Sequence, residues 1–177
     1  DFSIMGSALL KALFENAKPN VALLNIGSEE LKGNAMIKET YHLLNDKKYS
    51  LFNFSGYIEG NHIMDGDVNV IVADGFTGNI ALKTAEGTSN FIISELKNAL
   101  STSLIGKFSS LINYKNLKNF KNKLDPRLYN GAILLGLDKP VIKSHGSTDS
   151  IGFANSLKVC EKTIRGKLIN QIRQNIK

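Results

Sequence analysis

A short apolar run that stops at an Asp-Gly pair and then continues as a helix constrains the fold of this chain more than any other feature. Residues 68–73 are rich in valine and isoleucine, which indicates a buried strand of an α/β sheet. The strand stops at Asp74-Gly75, and Thr77 is a suitable N-cap for the apolar helix that follows. A strand that ends in a glycine turn and opens a helix leaves backbone N–H groups unpaired at its carboxyl end. That edge of the sheet is where α/β proteins hold anionic ligands.

Strand and helix patterns alternate along the rest of the chain. Helical spacing predicts a short helical turn near 61–64, a final amphipathic helix from about Thr148, and helices over residues 2–17, 34–45 and 78–100. Short apolar runs predict strands over residues 21–26, 51–55, 68–73, 133–137 and 141–143. This order predicts right-handed crossovers and an α/β fold with a doubly wound, largely parallel sheet.

The composition suits one domain, or most of one, in a reducing compartment. With 177 residues, of which 42% are hydrophobic, the chain can bury one sizeable core. Cys160 is its only cysteine, which excludes a disulfide within the chain and favours the cytoplasm. No apolar run approaches the roughly 20 residues that span a bilayer, and no signal peptide is visible.

Several types of site have no support in the sequence. The CxxC and HExxH patterns of zinc sites are absent, as is the GxxxxGK[ST] pattern of a P-loop. There is no GxSxG nucleophile elbow, and Cys160 lies in a basic helix without an evident base partner. A covalent serine or cysteine mechanism is therefore not favoured, and we expect neither a metal nor a nucleotide cofactor.

Five segments carry distinctive combinations of glycine, asparagine, lysine and histidine: 25–34 (NIGSEELKGN), 53–60 (NFSGYIEG), 74–79 (DGFTGN), 131–137 (GAILLGL) and 141–147 (VIKSHGS). In the same order they resemble segments of the bacterial phosphate acyltransferase family, PlsX. Members of that family are about twice this long. We therefore expect residues 1–177 to be the C-terminal portion of an α/β acyltransferase domain, with the N-terminal half missing. The implied scaffold is Rossmann-like and similar to that of isopropylmalate dehydrogenase and phosphotransacetylase.

The resemblance implies a reaction in which inorganic phosphate attacks the thioester of acyl–acyl carrier protein. The product is an acyl phosphate for bacterial phospholipid synthesis, and a homodimer is also implied. One alternative is another enzyme on a similar scaffold, such as a phosphotransacetylase-like enzyme that uses acyl-CoA. A dehydrogenase of the isopropylmalate type is less favoured, because it would need a carboxylate cluster for Mg²⁺ that this stretch does not show. Another alternative is a non-catalytic module that binds the carrier protein or a membrane.

Lys32 is a candidate phosphate ligand in the loop that follows the first predicted strand. It lies between Gly27 and the Gly33-Asn34 helix start, where a lysine offers a compact positive charge and backbone N–H groups supply directed donors. Asn34 is predicted to cap the helix that follows. On the motif alone, an exposed loop lysine without a role is the better interpretation. The resemblance reverses that preference.

Asn79 lies in the predicted first turn of the helix after Asp74. Its amide can donate to a phosphate or to an oxyanion, although local capping explains an asparagine there equally well. Asp74 would repel a phosphate, so we expect it to brace the turn or to orient Lys32.

His145 follows a predicted strand, between Lys143 and Gly146. A histidine there can donate to phosphate oxygens or pass a proton to the leaving thiolate, although a lone histidine is more often structural. With the resemblance, the predicted catalytic residues are Lys32, Asn79 and His145. The predicted phosphate-binding residues are Gly27, Lys32, Gly33, Asn34, Gly75, Thr77, Gly78, Asn79, Lys143 and Gly146.

A basic amphipathic helical insert is expected at about 101–127. Residues 104–127 hold six lysines or arginines against Asp125 alone, and apolar residues recur with helical spacing. Such a segment suits an anionic membrane surface or an acidic partner such as acyl carrier protein, which predicts a cytoplasmic, peripherally membrane-associated protein. The alternative is a solvated helical hairpin that packs on its own domain or on a dimer mate; nucleic acid is not favoured. The predicted contact residues are Lys107, Phe108, Leu111, Lys115, Lys118 and Lys121.

Overall fold

A computed structural model of the chain describes residues 1–146 and 148–176, so Ser147, in the last of the five segments, and Lys177 lie outside the described residues. The helices are α1 (Phe2–Leu13), α2 (Ala35–Asn45), α3 (Gly75–Ser101), α4 (Leu104–Ile112), α5 (Tyr114–Lys123), α6 (Ser150–Arg165) and α7 (Leu168–Asn175). The strands are β1 (Asn20–Asn25), β2 (Asn53–Glu59), β3 (Val70–Val72), β4 (Ala132–Ile133) and β5 (Ile142–Lys143). Short 3-10 turns cover Gly60–His62 and Pro126–Tyr129.

A parallel sheet with the strand order β2-β1-β3 forms the centre of the fold. From β1 the chain passes through α2 to β2 on one side, and it then crosses to β3 on the other side of β1. This reversal of direction is the feature that defines a doubly wound sheet, so the predicted α/β class is confirmed. The carboxyl ends of β1 and β3 flank the point at which the direction changes.

Apolar residues of β1 point into two cores, one on each face of the sheet. Val21 and Leu23 pack with Leu44 of α2 and with partly buried residues of α1. Ala22 and Leu24 pack on the opposite face, where Ala81 of α3 contributes. Because Val21 and Ala22 are both fully buried, β1 requires an uninterrupted apolar run, which is what its sequence supplies.

A second layer covers the outer side of α1. Met5, Ala8 and Ala12 of α1 pack against Leu168 and Ile172 of α7. The strands β4 and β5 form a separate antiparallel pair rather than part of the main sheet. The strands predicted over 133–137 and 141–143 are present, but with two residues each they are shorter than expected.

Several predicted element boundaries were wrong. α1 ends at Leu13 instead of 17, because Phe14 takes an extended conformation and a turn returns the chain toward β1. The strand expected over 51–55 runs over Asn53–Glu59. The final helix begins at Ser150 and is interrupted after Arg165, where Lys167 adopts a left-handed conformation with φ of 52°.

The insert consists of two helices, α4 and α5, which follow the 27-residue α3. Within the two described ranges, no helix combines the length and the apolar composition needed to cross a bilayer.

The close approach of α1 to the break between α6 and α7 predicts a sharp sensitivity at Gly166. A Cβ atom there would lie less than 3.0 Å from three backbone atoms of Ala12, and backbone cannot give way as a side chain can. Gly166→Ala should lower the free energy of unfolding by about 2 kcal/mol or more, measured by urea denaturation.

Gly87→Ala is the matched control, because Gly87 lies inside α3 with no heavy atom within 4 Å of its ideal Cβ. This change should raise the free energy of unfolding by about 0.5–1 kcal/mol through helix propensity. Equal stability of the Gly166→Ala and wild-type chains would contradict the described packing of α1.

Candidate functional site

The loops after β1 and β3 leave neighbouring strands at the same edge of the sheet. Leu23 of β1 pairs with Val72 of β3, so the strands end side by side. The loop over 26–34 therefore starts beside the turn over 74–79. Crevices of this kind, at the carboxyl ends of the strands where the strand order reverses, are the usual ligand sites of open α/β sheets. The structure thus brings the Lys32 and Asn79 segments to one edge.

Asn25, the last residue of β1, holds the loop that carries Lys32. The residue is only 6% exposed, and its Nδ2 donates to the backbone carbonyl of Lys32 at 3.2 Å. Its Oδ1 accepts the backbone N–H of Ile26 at 2.9 Å. The asparagine therefore ties both ends of the loop to the strand, while the Lys32 side chain remains exposed to solvent.

Gly33 completes this loop in a conformation that favours glycine. Its φ is +91°, and a Cβ atom there would collide with Oδ1 of Asn25. The next residue, Asn34, caps α2 by accepting the backbone N–H of Ile37 at 2.9 Å, as predicted. The path of the loop is therefore fixed on both sides of Lys32.

Asp74, not Thr77, is the N-cap of α3, so the predicted cap was wrong. The Asp74 carboxylate accepts the backbone N–H groups of Phe76 and Thr77 at 3.0 and 2.9 Å, and the Thr77 hydroxyl at 2.5 Å. One carboxylate thus satisfies three donors, which a threonine hydroxyl cannot do. The hydrogen bonds from Thr77, together with that from Phe76, hold the pKa of Asp74 below its usual value.

Because of this cap, three of the N–H groups that were expected to be unpaired at the start of α3 have partners. Those of Phe76 and Thr77 donate to the side chain of Asp74, and that of Gly78 donates to its carbonyl at 2.9 Å. α3 begins at Gly75, three residues earlier than expected, so Asn79 lies just beyond the first turn. Its side chain is exposed.

Two of the predicted phosphate-binding glycines have no packing explanation within the described ranges. An ideal Cβ on Gly75 or on Gly146 would meet no heavy atom within 4 Å. A Cβ on Gly78 would make only an ordinary contact with Ala73. Packing within the described residues therefore does not explain glycine at these positions.

His145 follows β5 of the antiparallel pair, whereas the Lys32 loop and the α3 helix with Asn79 follow strands of the parallel sheet. Its backbone N–H donates to Oδ1 of Asn130 at 2.9 Å, and its side chain and that of Lys143 are exposed. A site that combines His145 with Lys32 and Asn79 remains a prediction.

An ion-pair cluster anchors the segment before Asn130. Arg127 contacts Asp125 at 2.6 Å and Asp149 at 2.8 Å. The hydrogen bonds from Arg127 lower the pKa of Asp125. The pKa of Asp149 is lowered by the hydrogen bond from the backbone N–H of Gly152 and by that from Arg127. Both carboxylates raise the pKa of Arg127. Arg127 was counted with the basic insert, but the structure uses its charge internally.

The first insert helix, α4, exposes the two apolar residues that were predicted as contact residues. On α4, Phe108 is 66% exposed and Leu111 is 74% exposed. Lys107 and Lys121 border a hollow of about 370 Å³ between α3, α4 and α5, which Leu117 and Phe120 also line. A second hollow of about 370 Å³ is lined by Tyr114, Leu117, Lys118, Lys121, Asn122, Asp125 and Arg127.

Sequence reasoning missed Asn25 and Asn130, the buried asparagines that hold the two loops. A local signal exists for Asn25, because a polar residue ends an otherwise apolar strand. Asn130 precedes Gly131, but its partners lie 14 to 18 positions away, which no local pattern predicts.

Comparison with known proteins gives consistent relatives over almost the whole chain. A model of the family described as "Fatty acid synthesis protein" matches residues 1–171. The phosphate acyltransferase of Pelagibacter ubique is 67% identical over 99% of this chain and 53% of its own length. Those of Legionella pneumophila (strain Corby) and Maricaulis maris are each 42% identical over 99% of this chain, and over 51% and 50% of their own lengths.

The chain spans about half the length of the curated relatives that it matches. The family match runs from α1 into α7 and includes both loops at the edge of the parallel sheet. This chain therefore belongs to the fatty acid synthesis protein family.

Proposed function

We propose that the natural gene product, meaning the protein as the cell makes it, transfers a fatty acyl group from acyl–acyl carrier protein to inorganic phosphate. The observation that carries this proposal is that the loop after β1 and the start of α3 lie at the reversal point of the sheet, with an exposed lysine in the loop and an exposed asparagine in the helix. The name that the curated relatives share, phosphate acyltransferase, supports the same reaction class. Acyl transfer to phosphate needs an anion site rather than an activated protein nucleophile, since phosphate is itself the nucleophile.

In the proposed reaction, a phosphate oxygen attacks the thioester carbonyl and forms a tetrahedral oxyanion. The carbon–sulfur bond then breaks, giving acyl phosphate and the carrier thiolate, which takes up a proton. Lys32 and the amides of its loop hold the phosphate, and Asn79 donates to the phosphate or to the oxyanion. His145 binds phosphate or supplies the proton to the departing sulfur.

The remaining predicted phosphate ligands support this site to different degrees. Gly27, Gly33 and Asn34 belong to the loop after β1, Gly75 and Gly78 lie in the first turn of α3, and Lys143 and Gly146 flank His145. Thr77 has the weakest case, because its N–H and hydroxyl groups both donate to Asp74. A phosphate contact by Thr77 would require those donors to exchange partners.

Replacement of Asn79 tests the proposed reaction directly. Loss of one oxyanion donor typically costs about a hundredfold in rate, so Asn79→Ala should lower acyl phosphate formation from palmitoyl–acyl carrier protein by about that factor. The product is detected by mass spectrometry. Asn90→Ala is the control, because Asn90 is another exposed asparagine of α3, three turns further along.

A loss of less than about threefold in Asn79→Ala would remove Asn79 from the proposed site. An inactive wild-type gene product that still binds the carrier protein would favour the module that only binds its partners.

The exposed surface of the insert supports a second part of the proposal, peripheral association with an anionic membrane. Leu104, Ile105, Phe108, Leu111 and Ile112 of α4 are each at least 66% exposed. Lysines from both insert helices add positive charge; they are Lys107, Lys115, Lys118 and Lys121. An apolar face beside basic residues is the usual composition of an interfacial helix. The same lysines suit the acidic surface of acyl carrier protein.

A homodimer completes the proposal. α3 is 27 residues long and has no buried residue in this chain, and its exposed apolar side chains include Phe76, Ile80, Leu82, Phe91 and Ile92. A second copy that covers part of this helix would remove these side chains from water.

Membrane association is tested by sedimentation with vesicles that contain anionic phospholipid. Phe108→Ser should reduce the bound fraction, because the change removes a large side chain from the apolar face of α4. Phe2→Ser is the matched control, since Phe2 of α1 is 64% exposed, close to the 66% of Phe108, and lies outside both α4 and the proposed dimer surface. Equal binding of the Phe108→Ser, Phe2→Ser and wild-type proteins would show that α4 does not contact lipid.

A further inference from the structure

We propose that Asn130 is a positioning residue for His145, and that it holds the His145 loop, of which Ser144, His145, Gly146 and Thr148 are described, in the conformation that the reaction requires. This inference rests on the proposed function. It adds a residue that acts through the backbone of the loop, without contact to phosphate or thioester.

Both N–H bonds of the Asn130 side-chain amide donate to residues of this loop. Nδ2 donates to Oγ of Ser144 at 2.8 Å and to Oγ1 of Thr148 at 2.7 Å. Oδ1 accepts the backbone N–H of His145 at 2.9 Å. Asn130 is only 8% exposed, so water does not readily replace these bonds. A single side chain therefore holds the first, second and last residues of the loop.

The start of α6 presses the same loop from the other side. A Cβ atom on Gly152 would collide with the Thr148 hydroxyl and would lie 3.1 Å from Nδ2 of Asn130, so glycine allows this close approach. The Ser156 hydroxyl donates to Oγ of Ser144 at 3.1 Å and is 4% exposed. The polar groups around Asn130 thus form one connected, largely buried network.

The position of Asn130 is itself fixed by the turn that precedes it. Arg127 bridges Asp125 and Asp149, and Asp149 caps α6 by accepting the backbone N–H of Gly152 at 2.9 Å. Asn155 donates to the carbonyl of Arg127 at 2.9 Å. These contacts tie the turn, the loop and the helix start together.

Because the loop is exposed to solvent, the hydrogen bonds from the Asn130 side chain are needed to hold its backbone in place. His145 and Gly146 are exposed, and the bond from the Thr148 N–H to the His145 carbonyl at 3.0 Å closes a single turn. Without Asn130, the backbone N–H of His145 loses its acceptor and the loop can shift. A displacement of about 1 Å at a reacting group can cost about a hundredfold in rate.

A double-mutant cycle in the natural gene product separates positioning from general stabilisation. Asn130→Ala and His145→Gln should each lower acyl phosphate formation by about tenfold or more. The double variant should be no slower than the slower single variant, because both changes remove the function of one group. Asn175→Ala should stay close to the wild-type rate, since the Asn175 side chain donates to the Gln171 carbonyl within α7, outside the turn and the loop.

Hydrogen–deuterium exchange gives a readout that does not depend on activity. The amide of His145 should exchange faster in Asn130→Ala than in the wild type or in Asn175→Ala. If Asn130→Ala does not fold, Thr148→Val removes one acceptor of the amide at constant side-chain shape, and it should produce a smaller loss in the same direction.

Independent, multiplicative losses in the double variant would overturn the proposal, as would unchanged activity of Asn130→Ala or of His145→Gln. If the wild-type protein forms no acyl phosphate, the proposed function fails. In that case, unchanged exchange of the His145 amide in Asn130→Ala would overturn the positioning role separately.

Discussion

Burial of β1 on both faces is the constraint on which the rest of this structure depends. The strand lies between β2 and β3, and it is the point from which the chain builds the sheet in two directions. Because of this order, the loop after β1 and the turn after β3 leave the sheet side by side, at the edge where open α/β sheets hold ligands. The hydrophobic core thus determines where the candidate site lies.

Two buried asparagines connect this core to the exposed candidate residues. Asn25 binds the backbone around Lys32, and Asn130 binds the backbone of His145. In both places an exposed candidate side chain is carried by a loop whose main chain is held by an amide with little exposure to water. This division suits a site that recognises an anion, because the charged groups stay accessible while their positions are constrained.

Local sequence patterns were sufficient for the central strand, for the Asn34 cap of α2 and for the edge of the sheet that carries the loops. They failed where two residues competed for one role: Asp74 and Thr77 are both good caps, and the carboxylate prevails because it reaches three donors. The Asn130 network joins distant parts of the chain, so no periodicity predicts it. The relation between His145 and Lys32 depends on how the second layer packs, which local patterns do not specify.

Calorimetric titration of the natural gene product with inorganic phosphate tests the central claim, that the loop around Lys32 forms the anion site. Lys32→Gln removes the charge, and Gly33→Ala forces the loop to move because a Cβ atom there would collide with Asn25. Gly66→Ala is the control, since Gly66 also has a positive φ, of +87°, but no heavy atom within 4 Å of its Cβ. The account predicts phosphate affinity about tenfold or more weaker in both loop variants, from loss of a charge-assisted contact, and unchanged in the control. Wild-type phosphate affinity in Lys32→Gln and Gly33→Ala would contradict it.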